Sequence, residues 1–303
     1  MSTPRPSMPA ESRTPPPARV SRRPAAGGPA VRTTGLLAVF LAAAALFASA
    51  ACSGGAGTES RTAAGPGERP AVAATTTPAS PSPSPALTEV GARRALITEA
   101  DIEDAWNRVE PATARAWRDR MLLGQVDAAR FLTGKSDVPE CRRLVDALFD
   151  ETLLGRPSGA SALTGFEQDD SRLLYQVAAY RNTDLDASMR WLRSLPQSCD
   201  SFTLTGDGGG ERTVEVVETA LPDEGDARQG LTVTVRGDDG GEPATLTLGV
   251  AVVRIGANAI TITQGGLDGV EESTTRSAVR QGAQRLEDVL AGRTPSADPS
   301  VFD

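Results

Sequence analysis

The chain has 303 residues, carries a formal net charge of −8 and contains no histidine. Histidine is the most common general base and the most common metal ligand, so its absence excludes a Ser-His-Asp triad and histidine-based metal sites. Residues 1–51 carry a net charge of +5, which leaves −13 for the rest of the chain. Such an acidic remainder does not suit the phosphate backbone of nucleic acids, and we predict no nucleic-acid partner.

Composition divides the chain into four segments. We predict a targeting segment of the lipoprotein type at 1–51, and a lipidated cysteine with a disordered Pro/Ser/Thr/Ala-rich linker at 52–88. The linker has almost no large apolar residues, so it cannot bury enough surface to fold. Residues 89–292 are enough for one substantial core and are predicted to form a single globular domain, followed by a flexible tail at 293–303.

An apolar run from Gly35 to Ala51 ends directly before Cys52. At about 1.5 Å per residue the run spans roughly 25 Å, which suits a signal-peptide core better than a membrane-spanning helix. The small residues before Cys52 resemble the lipobox of bacterial lipoproteins, with Ser49 where leucine is more usual. The resemblance implies that Cys52 is diacylated and anchors the chain on the extracytoplasmic face of the cell membrane. The alternative is an uncleaved anchor helix in which Cys52 is incidental.

The other two cysteines then lie on the oxidising side of the membrane. The simplest interpretation is a structural disulfide between Cys141 and Cys199. The alternative is a redox-active or nucleophilic thiol. This alternative is disfavoured because the chain has no histidine to activate a thiolate and no CxxC motif.

Helical patterns dominate the first part of the domain. Thr98 followed by Asp101 is a helix-start signature, and Pro139 stands at a position typical of a first helical turn. A stretch rich in Gly, Ser and Asp predicts a loop, and a following stretch is enriched in strand-forming residues. The predicted elements are a helix at 98–110, a second helical stretch that follows it through 132, and helices at 139–148 and at 184–195, the last ending near Pro196. A loop is predicted at 155–170 and a strand at 172–180.

From residue 202 onward the pattern changes to period two. Segments that alternate Thr or charged residues with Val, Leu or Ile are separated by short Asp/Gly-rich turns, which predicts an antiparallel meander. A closing helix at 271–290 would cover one face of the sheet. We therefore predict an α+β fold with N-terminal helices, a meander of about four to six strands covered by helices including a C-terminal one, and one disulfide. The predicted strands are 202–204, 212–220, 230–236, 244–255 and 259–264.

Acidic residues supply the remaining candidate chemistry. The acidic glycine-rich turns invite a calcium interpretation, but none has EF-hand spacing and Asp-Gly turns are common in hairpins. Adjacent carboxylates at Asp169/Asp170 and Glu271/Glu272 have the chemistry of a glycosidase, although such pairs are usually surface charge. We predict no cofactor, no metal ion and no catalytic residue. The large aromatic residues are expected in the core: Trp106, Trp117, Tyr175, Tyr180 and Trp191.

The order of features from Ala95 to Gly292 resembles the PknH-like extracellular sensor domains of actinobacteria. The matching segments are ALITEADI at 95–102, a helix with Cys141 and a strand–helix unit from Tyr175 to Cys199, followed by the meander and the last helix. The resemblance implies a mixed α/β domain with a ligand-binding cleft, in receptor-kinase ectodomains or free-standing lipoproteins. Members usually have two disulfides, and this chain can form only one.

These observations predict a non-enzymatic, membrane-anchored extracytoplasmic lipoprotein that acts as a ligand-binding or sensing module. Its expected partners are the membrane, through the lipid on Cys52, and an unknown small ligand or envelope protein. Two alternatives remain open: a cell-envelope hydrolase that uses carboxylates, and a protein that steadies an envelope complex.

Overall fold

The computed structural model describes residues 86–102 and 105–296. The segment predicted as a signal peptide, Cys52, nearly all of the predicted linker and the end of the tail lie outside the described residues. Among those described, no helix combines the length and the apolar character needed to cross a lipid bilayer.

Six α-helices, one 3-10 turn and eleven strands make up the described part of the chain. In chain order they are α1 (Glu89–Arg94), the 3-10 turn (Glu99–Asp101), β1 (Asn107–Val109), α2 (Pro111–Ala116), β2 (Leu122–Leu123), β3 (Val126–Asp127), α3 (Ala128–Phe131), β4 (Lys135–Ser136), α4 (Pro139–Asp146), β5 (Ser161–Gln168), β6 (Ser171–Ala179), α5 (Asn182–Ser198), β7 (Ser201–Thr205), β8 (Glu211–Thr219), β9 (Ala227–Asp239), β10 (Glu242–Ile255), β11 (Asn258–Gly266) and α6 (Glu272–Leu290).

Nine of the strands form one antiparallel sheet in the order β1-β5-β6-β11-β10-β9-β8-β7-β4. The five strands β7 to β11 follow one another in both sequence and space, so the predicted meander is confirmed. The hairpin β5–β6 extends this meander through β11, and the short strands β1 and β4 form the two edges. The predicted α+β class, the disulfide and the C-terminal helix are confirmed as well.

Both faces of the sheet carry a hydrophobic core. Helices α2 to α5 pack on the first face, where the disulfide between Cys141 and Cys199 joins α4 to the end of α5. Helices α1 and α6 pack on the second face, over Ala251, Val253, Ile260 and neighbouring apolar residues. This second layer contacts β5, β6, β10 and β11.

The second face stays open over β7, β8 and β9 and the adjoining half of β10. Strand β9 shows the pattern: Leu231, Val233 and Val235 are buried on the first face, whereas Thr232 and Thr234 are only half-buried on the second. Antiparallel sheets commonly have one solvated face, and threonine fits such a surface. We call this surface the open threonine face. Its other members include Thr203, Thr213, Glu215, Val217, Arg236, Thr245 and Thr247.

The helix predicted at 98–110 is wrong. The helix-start signal at Thr98 produces only the 3-10 turn, because the Asp101 carboxylate accepts hydrogen bonds from both the N–H (2.7 Å) and the hydroxyl (2.9 Å) of Thr98 and then enters a buried ion pair. After the turn, Trp106 is buried and β1 joins the sheet edge beside β5. Tertiary contacts therefore override the local helical preference.

Three further predictions need correction. The helical stretch through 132 is broken into α2, the β2–β3 hairpin and α3, because Gly124 turns the chain at φ +54°. The loop predicted at 155–170 contains β5, whose buried run lacks the alternation of a half-exposed strand. The helix predicted to end near Pro196 continues to Ser198, and Pro196 lies inside its last turns.

Candidate functional site

A pocket of about 460 Å³ lies where the second helical layer begins, at the start of α6. We call it the polar pocket. Four chain segments form it: the residue before β1, the turn between β5 and β6 with its flanking residues, the end of β11, and the loop that leads from β11 into α6. Its lining residues are Trp106, Gln168, Asp169, Ser171, Gln264, Asp268, Gly269, Val270 and Glu271.

Close backbone packing holds these segments together. The N–H of Leu267 donates a hydrogen bond to the carbonyl oxygen of Asp170 at 3.2 Å. At Gly266 a Cβ atom would lie 1.8 Å from the same oxygen, so only glycine lets β11 approach the β5–β6 turn this closely. Asp169 adopts a positive φ of 43° in that turn, a conformation that aspartate tolerates better than most residues. The two acidic segments are thereby fixed beside one another.

Gln264 combines deep burial with unused hydrogen-bonding capacity. The residue is 1% exposed and lines the polar pocket. Its amide oxygen accepts a hydrogen bond from the Thr275 hydroxyl at 3.3 Å, and no described residue accepts one from its amide nitrogen. Nearby, the Trp106 indole N–H donates to the Thr274 hydroxyl at 3.4 Å, which fixes the ring at the pocket wall. An amide nitrogen at a pocket wall that has no acceptor among the described residues is a donor available to a ligand.

Two acidic side chains of the pocket, Asp169 and Asp268, are also available. Neither Asp169 nor Asp268 forms a side-chain ion pair or hydrogen bond with another described residue, and both are exposed. The side chains of Gln168 and Ser171 likewise have no hydrogen-bond partner within the described residues. The lining contains no Lys or Arg. The polar pocket therefore disfavours anions and offers acceptors and donors to a neutral or cationic ligand.

A second, smaller pocket of about 180 Å³ adjoins the first. We call it the hydroxyl pocket. Val270 lines both pockets, and the Thr275–Gln264 hydrogen bond connects one wall to the other. Its lining also includes apolar Leu221, Leu231 and Val250 and the ion pair of Glu272 with Arg276 (2.6 Å). From this pocket the open threonine face continues outward. The hydroxyls are supplied by Thr219, Thr232, Thr247 and Thr275.

Another polar pocket, of about 340 Å³, contains the glycine-rich turn between β7 and β8. Three of its charged side chains, Arg130, Arg212 and Asp239, are already partnered. Arg130 binds Asp239 at 2.6 Å, and this hydrogen bond holds the pKa of the Asp239 carboxyl below its usual value. Arg212 donates to the carbonyl oxygens of Phe131 and Thr133 near the end of α3. Because these side chains hold neighbouring segments of the fold together, this pocket is a weaker candidate for a ligand site than the polar pocket.

In the structure, the acidic residues that are adjacent in the sequence lie in different places. Asp169 and Glu271 line the same pocket although they are far apart in the chain, whereas Glu272 pairs with Arg276 in the hydroxyl pocket. Asp170 instead lies beside Gly124. Sequence reasoning missed Gln168, Ser171, Gln264 and Asp268. The GGLDG segment at 265–269, between a strand and a helix, is the one sequence signal that points to such a loop.

The other predicted site residues lie elsewhere. Cys141 and Cys199 are joined in the disulfide, so neither supplies a thiol, and Cys52 lies outside the described residues. Among the described residues, no group of three or more His, Cys, Asp or Glu side chains is arranged to hold a metal ion. Trp106, which was expected in the core, is buried there and also lines the polar pocket.

No protein-family model and no curated protein matches this chain. Its structure is similar to that of an uncharacterised protein from Mycobacterium smegmatis, the Rv0999 ortholog, with 13% identity, a TM-score of 0.29 and coverage of 63% of this chain and 86% of that one. It is also similar to the extracellular domain of PknH from Mycobacterium tuberculosis, with 10% identity, a TM-score of 0.31 and coverage of 65% and 98%. At these TM-scores neither likeness carries a conclusion about function, and membership of the PknH-like family stays a prediction.

Proposed function

We propose that the chain is a non-enzymatic, extracytoplasmic binding module that takes a small ligand in the polar pocket. The supporting observation is that one concave site brings together the Gln264 amide nitrogen and the carboxylates of Asp169 and Asp268, none of which has a partner among the described residues. Ligand sites typically combine such a concavity with a few polar groups that fix orientation. Ser171 carries the only hydroxyl among the lining side chains, and no described residue hydrogen-bonds to this hydroxyl, so no described group activates it as a nucleophile.

Melting experiments test the binding proposal. We expect a size- and charge-fractionated extract of bacterial cell envelope to raise the melting temperature of the protein. At one hundred times Kd the stabilisation is about 2.7 kcal/mol, which corresponds to roughly 5–10 °C for a domain of this size. Circular dichroism at increasing extract concentration measures the shift. Asp268→Asn should reduce it, while Asp207→Asn, at the glycine-rich turn of the other pocket, should not. A melting temperature that no fraction changes would contradict the proposal.

The proposed anchor is the lipid on Cys52. We expect the wild-type chain to sediment with membranes and to incorporate a radiolabelled fatty acid, and Cys52→Ala to do neither. Ser53→Ala, which alters the neighbouring residue and keeps the cysteine, serves as the control and should behave like the wild type. Cell fractionation with fatty-acid labelling measures both properties. If Cys52→Ala still sediments with membranes, the lipoprotein proposal is wrong.

A second candidate function is glycoside hydrolysis by carboxylates. The observation in its favour is that Asp169 and Glu271 line the same pocket, since most glycosidases place two carboxyl groups on opposite sides of the bond that they cleave. Incubation with purified cell wall distinguishes the two functions. The binding proposal predicts no release of reducing sugar. Release that Asp169→Asn or Glu271→Gln abolishes would establish the hydrolase instead.

A further inference from the structure

We infer that the ligand of the polar pocket is a neutral or amine-bearing saccharide. This inference rests on the proposed binding function and names the chemical class of the ligand. It is carried by the mixture of hydrogen-bonding groups in the lining, by the absence of basic residues there, and by the threonine hydroxyls of the adjoining hydroxyl pocket.

The mixture of donors and acceptors matches sugar hydroxyls. A hydroxyl group donates one hydrogen bond and accepts others, so it can satisfy a carboxylate and an amide N–H at the same time. The polar pocket presents the free carboxylates of Asp169 and Asp268 together with the amide nitrogen of Gln264, which has no acceptor among the described residues. Charge-assisted hydrogen bonds from hydroxyls to carboxylates are among the strong ones. A ligand with several hydroxyls uses all of these groups.

Two simpler ligand classes fit less well. A bare metal ion requires its carboxylates to be close together, and no such group of three occurs in the described residues. A phosphorylated or sulfated ligand would meet the carboxylates of Asp169, Asp268 and Glu271 with no Lys or Arg in the lining. A neutral or aminated ligand avoids both difficulties.

The size and surroundings of the site suit one or two sugar rings. Its volume of about 460 Å³ lies within the range of small-molecule sites. Val270 lines both pockets and leads from the polar pocket into the hydroxyl pocket. Beyond it, Thr232 and Thr247 begin the open threonine face, which presents further hydroxyls together with the ion pair of Arg236 and Glu215. A longer saccharide would therefore continue over a compatible surface.

Direct titration tests the inference. The full chain is purified in a detergent without a sugar headgroup and studied by calorimetry. It is titrated with four oligosaccharides of equal length, built from glucose, N-acetylglucosamine, glucosamine or galacturonate. We expect at least one neutral or aminated oligomer to bind at least tenfold more tightly than galacturonate. Asp268→Asn and Asp169→Asn should each weaken that binding by tenfold or more, while Asp207→Asn should stay within twofold of wild type. Unchanged circular dichroism verifies that each variant is folded.

The outcomes separate this inference from the proposed function. Equal or tighter binding of galacturonate, or binding that both pocket variants leave unchanged, would overturn the saccharide assignment. If none of the four oligomers binds while an envelope fraction still raises the melting temperature, the binding module stands and the saccharide assignment falls. If neither the oligomers nor any envelope fraction has an effect, both are wrong. Cleavage of a bound oligomer would support the saccharide class and replace the binding function with hydrolysis.

Discussion

Asp101→Asn is expected to lower the free energy of unfolding by about 3–5 kcal/mol, because it leaves a buried arginine without its counter-ion. Asp101 is fully buried, and its carboxylate lies 3.2 Å from the guanidinium of Arg285, which is only 11% exposed. Arg285 also donates to the carbonyl oxygen of Leu96 at 2.8 Å. The pair therefore ties the 3-10 turn and the segment after α1 to α6, the helix that borders the polar pocket.

Apart from Asp101, the described partners of Arg285 are neutral backbone carbonyl oxygens, which do not balance its charge. Tyr175 lies nearby, and burial raises the pKa of its hydroxyl far above the ordinary value, so it stays neutral. Urea-induced unfolding measures the loss. Glu272→Gln is the matched control, because it breaks an exposed i,i+4 ion pair with Arg276. Such exposed pairs typically contribute well under about 1 kcal/mol to the free energy of unfolding. If Asp101→Asn costs no more than this control, the buried pair has no structural role.

Replacing both half-cystines, as in Cys141→Ser with Cys199→Ser, is expected to lower the free energy of unfolding by roughly 4 kcal/mol. The disulfide spans 58 residues of sequence, and the chain-entropy model gives that value for a loop of this length. Both cysteines are buried, so each serine also places a hydroxyl in an apolar region and adds to the loss. The double variant avoids the free thiol that a single substitution would leave.

Unfolding in urea, with and without reductant, measures the effect. Reductant should destabilise the wild-type chain and leave the double variant unchanged. Because the disulfide lies in the first core and the polar pocket on the other side of the sheet, the folded double variant should keep its ligand affinity within about twofold. If the double variant loses less than about 1 kcal/mol of unfolding free energy, helices α4 and α5 hold together without the covalent link.

The second half of the fold was predictable because its signals are local. In β8, β9 and the first half of β10, buried valine and leucine alternate with threonine or charged residues, and short Gly/Asp turns favour an antiparallel connection between neighbours. The closing helix α6 was likewise visible in its apolar spacing. Here each residue's environment follows from the sequence within a few positions of it.

The first half was less predictable because distant contacts decide it. Strand β5 is buried between two cores, so its sequence has no polar alternation to mark it as a strand. The turn after Thr98 depends on Arg285, which is nearly two hundred positions away. The polar pocket has the same origin. Asp169 meets the loop before α6 only because β6 pairs with β11, and no local pattern contains that pairing.

Hydrogen exchange read by mass spectrometry tests most directly whether the polar pocket is the binding site. Exchange is compared with and without a saturating amount of an oligosaccharide that calorimetry shows to bind. Protection is predicted in peptides covering 168–171 and 264–271, which supply all but Trp106 of the pocket lining. The turn at 206–210, which lines the separate pocket around Arg130 and Arg212, should exchange at an unchanged rate. Protection at 206–210 with none at the polar pocket would contradict the account.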